Sequence, residues 1–117
     1  MFSILNCKLN IEDMVIKNIK VLQLKDEEEI RRTYSFMSLD FLSHYGLSVS
    51  LDNYKVVYDE QIVVPDDEGV YDTLENVYMR FQGGKPENYH GHSVSVSDIV
   101  SVDGVNYYCD SIGFSKL

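Results

Sequence analysis

The run Ile99-Val100-Ser101-Val102-Asp103-Gly104-Val105-Asn106-Tyr107-Tyr108-Cys109 constrains the fold more than any other stretch of this chain. Two runs rich in β-branched and aromatic residues, which suit a pleated and half-buried surface, flank an Asp-Gly pair. A two-residue type I′ turn requires positive φ at both central positions, and Gly104 meets that requirement without a Cβ clash. A C-terminal β-hairpin is the result. Just upstream, Ser93, Ser95 and Ser97 alternate with Val94 and Val96, a period of two that predicts a strand with one polar face. Ser111-Ile112-Gly113-Phe114 closes the chain, with Phe114 expected in the core.

From the N-terminus, alternation over Phe2–Leu9 predicts a first strand. Asn10 is placed to cap a short helix with Ile11, Met14, Val15 and Ile19 at helical spacing and Asp13 at its third position. A second strand follows over Ile19–Leu24. Lys25–Arg32 is a solvated turn or helix start, where Glu28/Arg32 and Glu27/Arg31 stand four apart, each pair contributing about 0.2–0.5 kcal/mol. Ser38 opens a short helix and Gly46 closes it at C′, with Leu39, Phe41 and Leu42 facing the core. Tyr54–Tyr58 reads as a strand and Asp59–Gly69 as an acidic loop, in which Pro65 excludes a central ladder position. Leu74–Phe81 reads as a helix capped by Asp72 or Thr73, with Leu74, Val77, Tyr78 and Phe81 as its apolar stripe. Gly83-Gly84-Lys85-Pro86 ends it.

A chain of 117 residues is one domain, 1–117, with enough apolar content for a core. The pattern of elements predicts an α+β fold: a small, mostly antiparallel sheet with two or three short helices packed on one side and a C-terminal hairpin. The lack of a secretory h-region or a long apolar run implies a soluble, cytoplasmic protein without a membrane partner. Cys7 and Cys109 then read as reduced, small apolar fillers.

The formal net charge is −9, and it is uneven. Residues 1–32 hold six Lys/Arg and six Asp/Glu, so residues 33–117, with four Lys/Arg and thirteen Asp/Glu, supply all of it. Such a surface repels phosphate backbones, which disfavours direct nucleic-acid binding, and attracts basic proteins.

The ends of several segments carry a family resemblance. Gly91-His92-Ser93-Val94-Ser95-Val96-Ser97-Asp98-Ile99-Val100 and Tyr107-Tyr108-Cys109-Asp110-Ser111-Ile112-Gly113-Phe114 resemble the end of the YodL-like domain family. The likeness continues upstream through Asp72–Tyr78, Phe81 and Pro86, and through Leu42, Gly46–Val49 and Tyr54–Tyr58, in the expected order. About the last three-quarters of the chain is covered. Cys109 and Ile112 stand where the pattern leads one to expect Val and Phe, and the first thirty residues match poorly, which leaves an N-terminal contact surface undefined. The resemblance implies an accessory protein of a conjugative element, plasmid or phage, a setting in which such domains also occur as modules of large polyvalent proteins. It implies no reaction.

Each candidate for chemistry has a plainer counterpart. His90 and His92, two apart on a strand, would share a face and reach a metal with Asp98 or Cys109, but the ordinary fate of such histidines is an exposed loop. A Cys109 nucleophile needs a base beside it that sequence cannot place, so a core cysteine is the better reading. Gly83-Gly84-Lys85 lacks the spacing of a phosphate loop and leaves a helix instead of opening one. What remains is the base-free run between Lys55 and Arg80, with acids at Asp59, Glu60, Asp66, Asp67, Glu68, Asp72 and Glu75. Helix capping explains Asp72, a favourable first turn explains Glu75, and a solvated loop explains Asp66–Glu68. Interleaved with Tyr58, Val63, Val64, Val70 and Tyr71, the same acids make an interface that mixes charge with apolar anchors.

The expectation is therefore a non-enzymatic, mobile-element-encoded acidic binding protein without cofactor, metal or catalytic residues. Its partner surface is Asp59, Glu60, Asp66, Asp67, Glu68, Tyr71, Asp72 and Glu75. Its partner is a basic host protein, and the sharpest version is an anti-CRISPR protein occupying a basic nucleic-acid channel of a Cas nuclease such as Cas9. The alternative is a non-inhibitory interaction module in conjugation or plasmid maintenance. An enzyme using His90, His92 and Asp98 is the outsider.

Overall fold

The computed structural model describes residues 13–117, and the expected strand over 2–9, Cys7 and the Asn10 cap lie outside them. Five antiparallel strands form one sheet: β1 (Met14–Leu24), β2 (Tyr54–Pro65), β3 (Ile99–Val102), β4 (Val105–Cys109) and β5 (Phe114–Lys116), in spatial order β2-β1-β3-β4-β5. The helices are α1 (Glu28–Tyr34), α2 (Leu39–His44) and α3 (Val70–Arg80), with a 3-10 turn at Leu51–Asn53. The α+β class is as expected from the sequence.

Strand alternation explains why the helices divide between the two faces instead of sharing one. Ile19, Val21, Val100, Val102 and Tyr107 point to the side covered by Leu74, Val77 and Phe81 of α3. Ile99 and Tyr108 point to the other, where they meet Leu42 of α2, Tyr34 of α1 and the partly buried Leu22, Leu24, Leu47 and Val49. Both layers are fully dry at their centres: Leu74 and Tyr108 are 0 % exposed and Phe81 is 1 % exposed. Each aliphatic or Phe side chain buried to this degree contributes roughly 1.5–3 kcal/mol.

The hairpin forms as the Asp-Gly pair dictates, with φ of 50° at Asp103 and 85° at Gly104 and register Val102↔Val105 through Ile99↔Tyr108. The α2 boundaries also agree: Ser38 accepts from the Phe41 N–H at 3.1 Å. Gly46 (φ 71°) and Leu47 donate to the Ser43 and Leu42 carbonyls at 3.0 and 2.8 Å, a Schellman ending. Phe41, however, is exposed, while Leu42 alone of the expected trio is buried and Leu39 is half-buried.

Five further readings are corrected. Met14, Val15 and Ile19 lie in β1 and not in a helix, because eleven residues of β1 pair with β2 along its length. The acidic loop is shorter than expected, since β2 runs on to Pro65 at its last position on the sheet edge, where a missing N–H is tolerated. Helix α3 begins at Val70 with Gly69 as N-cap, so Asp72 and Thr73 sit inside the first turn and cap nothing. Ser93–Ser97 is irregular, with Ser97 at φ 88°, so the Ser/Val alternation there does not make a strand. In α1, Arg32 meets Glu28 at 3.0 Å, but Arg31 turns to Asp26 at 3.7 Å instead of Glu27.

Candidate functional site

The eight acidic-surface residues divide into two groups. Asp59 and Glu60 lie mid-strand on β2, opposite Lys20 and Ile19 respectively, so successive side chains leave by opposite faces and Asp59 faces a lysine. Asp66, Asp67, Glu68, Asp72 and Glu75 gather where the β2–α3 turn meets the start of α3. Asp67, Glu68, Asp72 and Glu75, with Pro65 and Asn76, line a shallow hollow of about 480 Å³ in which, among the described residues, no basic side chain takes part. Tyr71 sits beside it, half exposed, and packs edge-on against Tyr107 at 5.8 Å.

Glu68 differs from its neighbours in having structural partners. Its carboxylate accepts from Thr73 Oγ1 at 2.6 Å and from Asn76 Nδ2 at 3.4 Å. Lys17 Nζ, from β1, donates to the Glu68 carbonyl at 3.2 Å and to Thr73 Oγ1 at 3.1 Å. These bonds tie the turn to α3 and place one cation behind the acidic face. Asp66, Asp67 and Glu75 are exposed and, among the described residues, carry no such burden.

A second place, at the opposite end of the β1–β2 ladder, is a cleft of about 330 Å³ between the end of β1, the segment after α1, and Tyr89–Asp98. Gln23 organises its floor. The pattern Ile19, Val21, Gln23 puts a carboxamide at an inward position, 1 % exposed. Its Oε1 accepts from the His92 N–H at 3.1 Å, and its Nε2 donates to the His92 carbonyl at 2.8 Å and to Asp98 Oδ2 at 3.0 Å. The chain passes so close that a Cβ on Gly91 would stand 2.1 Å from Gln23 Oε1 and 3.0 Å from Val57 Cβ. Only glycine fits there.

Asp98 is 2 % exposed, and its Oδ2 also accepts from the Ser95 N–H at 2.9 Å. Its backbone is pinned to β4 by the Cys109 N–H at 2.8 Å, while Tyr54 donates its hydroxyl to the Ser97 carbonyl at 2.7 Å. Burial pushes the Asp98 carboxyl up to about 6, against the opposing pull of the Ser95 N–H, the His92 ring and the Gln23 amide. Burial likewise raises Cys109 to about 12, with Asp98 adding to it, and lifts the Tyr54, Tyr89 and Tyr108 hydroxyls well above their ordinary value. Cys109 is thus a buried free thiol and a poor nucleophile. His90 and His92 lie in irregular chain and not on a strand, and among the described residues no group of three or more His, Cys, Asp or Glu side chains is gathered as a metal would require.

Sequence reasoning named Asp98 only as a possible partner of the histidines and missed Gln23 and Phe36. The signal for Gln23 was legible: a lone amide at the inward beat of an alternating apolar strand. Phe36, at φ 62° and 70 % exposed on the cleft wall, gave no pattern.

The architecture defines a small α+β domain with a five-stranded antiparallel sheet between helices. The chain belongs to the YodL-like domain family, whose model matches residues 18–117, reaching further towards the N-terminus than the sequence blocks suggested. No curated protein and no solved structure matches it. Among the described residues no helix is long and apolar enough to cross a membrane.

Proposed function

We propose that this domain is a cytoplasmic binding protein of a mobile genetic element, not an enzyme, and that it inhibits a host defence nuclease of the Cas type by occupying a basic nucleic-acid channel. One observation carries the reading: the acidic hollow at the β2–α3 turn, lined by four carboxylates with the half-exposed Tyr71 at its side. A face of this kind presents to a basic channel the charge that nucleic acid presents, with an aromatic anchor at its edge. The mobile-element setting is what the sequence resemblance implies; the family match over residues 18–117 supports the resemblance itself.

The test is guide-programmed DNA cleavage with the protein added before or after guide loading. Strong inhibition only on early addition is expected. Reversing Asp66, Asp67 and Glu75 to Lys should abolish it, whereas reversing the exposed Glu29, Asp52 and Glu87, which changes the net charge equally, should not. Glu68 is left alone because its carboxylate holds Thr73 and Asn76. Equal inhibition by both triple variants, or none by the wild type, rejects the reading in favour of a non-inhibitory module in conjugation or plasmid maintenance.

A further inference from the structure

Asp98 is a buried charge whose hydrogen-bonding partners are neutral. Its Oδ2 takes Gln23 and Ser95, and among the described residues no hydrogen bond reaches Oδ1. The titratable groups that feel its charge are the hydroxyls of Tyr54, Tyr89 and Tyr108, the Cys109 thiol and the His92 ring, whose Nδ1 stands 4.0 Å from Oδ2. The first four stay neutral at pH 7, and His92 answers only when protonated. Both Gln23 amide protons are taken, by the His92 carbonyl and Asp98, so the His92 Nδ1 proton goes to the Ser93 carbonyl at 2.7 Å. At the rim, Arg31 and Lys55 share Asp26 at 3.7 and 3.4 Å, and His90 is exposed. A carboxylate held out of water costs far less when a cation pairs with it.

We propose that this cleft binds a guanidinium group, borne by an arginine side chain of a polypeptide or by a free guanidino compound. A guanidinium is planar and weakly hydrated, donates to a carboxylate and stacks on an aromatic face, and the cleft offers a carboxylate at its floor and Phe36 on its wall. Phe36 is held 70 % exposed in the left-handed region, where a bulky side chain is strained, and strain of this kind concentrates at ligand clamps. The elevated carboxyl of Asp98 agrees with an unpaired charge and makes the binding depend on pH. A bound cation favours the ionised form, so affinity falls as pH drops through about 6. The site stands apart from the acidic hollow and does not depend on the role given to it.

The experiment is an NMR titration of the isotope-labelled full chain with agmatine, with a blocked Gly-Arg-Gly peptide, and with the citrulline form of that peptide, which keeps the shape and loses the charge. The His92 and Ser95 amides should shift with the two cations and not with citrulline. Affinity should fall at least about tenfold in Asp98→Asn and again between about pH 7.5 and pH 5. The carboxamide introduced by Asp98→Asn retains an oxygen for Gln23 and Ser95, and Phe36→Gly, which suits the backbone there, is a second variant expected to weaken binding should the first fail to fold. Tighter binding of the arginine peptide assigns the site to a polypeptide; tighter binding of agmatine assigns it to a free guanidino compound. Equal binding of the citrulline peptide, undiminished binding in a folded variant, or no shift with either cation overturns the proposal.

Discussion

Asp98 and Gly91 show how far single residues set the behaviour of this domain. The Asp98 carboxyl moves from 3.8 to about 6 on folding, chiefly through burial. Between those values the folded state holds a proton that the unfolded state has released. The corresponding stabilisation is fully present below about pH 4 and is lost as pH rises through about 6. Asp98→Asn removes that titration while keeping an acceptor for Gln23 and Ser95. The variant should therefore be more stable than wild type at neutral pH, on the order of 1–3 kcal/mol, and the two should converge near pH 4. Urea denaturation at both pH values reads this, and a less stable variant at neutral pH would mean that bonds to the charged form outweigh its desolvation. Gly91→Ala acts on the same cage, since the new methyl overlaps Gln23 Oε1 and crowds Val57 Cβ. Because Gln23 is held by His92 and Asp98, it cannot swing aside freely, and a loss of roughly 1–3 kcal/mol is expected. Gly83→Ala, with open space around its Cβ and no positive φ, is the neutral comparison in the same melting experiment.

At the scale of elements, what local chemistry determines was legible and what distant partners determine was not. The Asp103-Gly104 turn is specified by two adjacent residues, and the hairpin follows wherever it is placed. Gly104→Val should thus cost about 1–3 kcal/mol more than Gly83→Val, because only the first forces a β-branched side chain to positive φ. Equal shifts in melting temperature for the two would remove the turn from its organising role. Helix α2 was legible for the same reason, through Ser38 and Gly46, and the α3 stripe through Leu74, Val77 and Phe81. By contrast, Met14, Val15 and Ile19 fit a helical spacing as well as a strand, and it is pairing with residues 54–65 that decides for the strand. Ser93–Ser97 alternates like a strand but has lost its ladder to a turn closed by the Asp98 side chain on the Ser95 N–H. The start of α3 was misplaced because Gly69 gives no side-chain cap to read, whereas Asp72 and Thr73 look like caps. Asp110 was passed over as well, yet its Oδ1 accepts from the Leu39 N–H at 3.1 Å and its Oδ2 from Ser115 Oγ at 3.1 Å, joining α2 to the last strand.

Across the whole molecule, the candidate surfaces lie at the two ends of the β1–β2 ladder, and the electrostatics differ between them. Near Met14↔Pro65 the surface is acidic, with Lys17 drawn inward to Thr73 and Glu68 instead of outward to neutralise it. Near Gln23↔Lys55 charges of both signs meet, with Arg31 and Lys55 sharing Asp26 at the rim around a single buried carboxylate. Among the described residues neither end presents a stripe of unpaired bases suited to a phosphate backbone, and the net charge of −9 opposes polyanions at long range. A protein must release counterions from several phosphates to bind duplex DNA, which takes clustered Lys and Arg side chains free to make those contacts. The purified domain should therefore leave duplex DNA and single-stranded RNA unshifted in gels at about 0.15 M salt, where charges are felt over only about 8 Å. Lowering the salt should not rescue binding, because weaker screening lengthens the reach of the repulsion. The Asp66/Asp67/Glu75→Lys variant carries a net charge six units less negative and gathers three lysines beside Lys17, so it is the form in which weak, salt-sensitive DNA binding should first emerge. A clear shift by the wild type, growing stronger as salt falls, would show that the acidic face does not govern what the domain meets and would return nucleic acid to the list of direct partners.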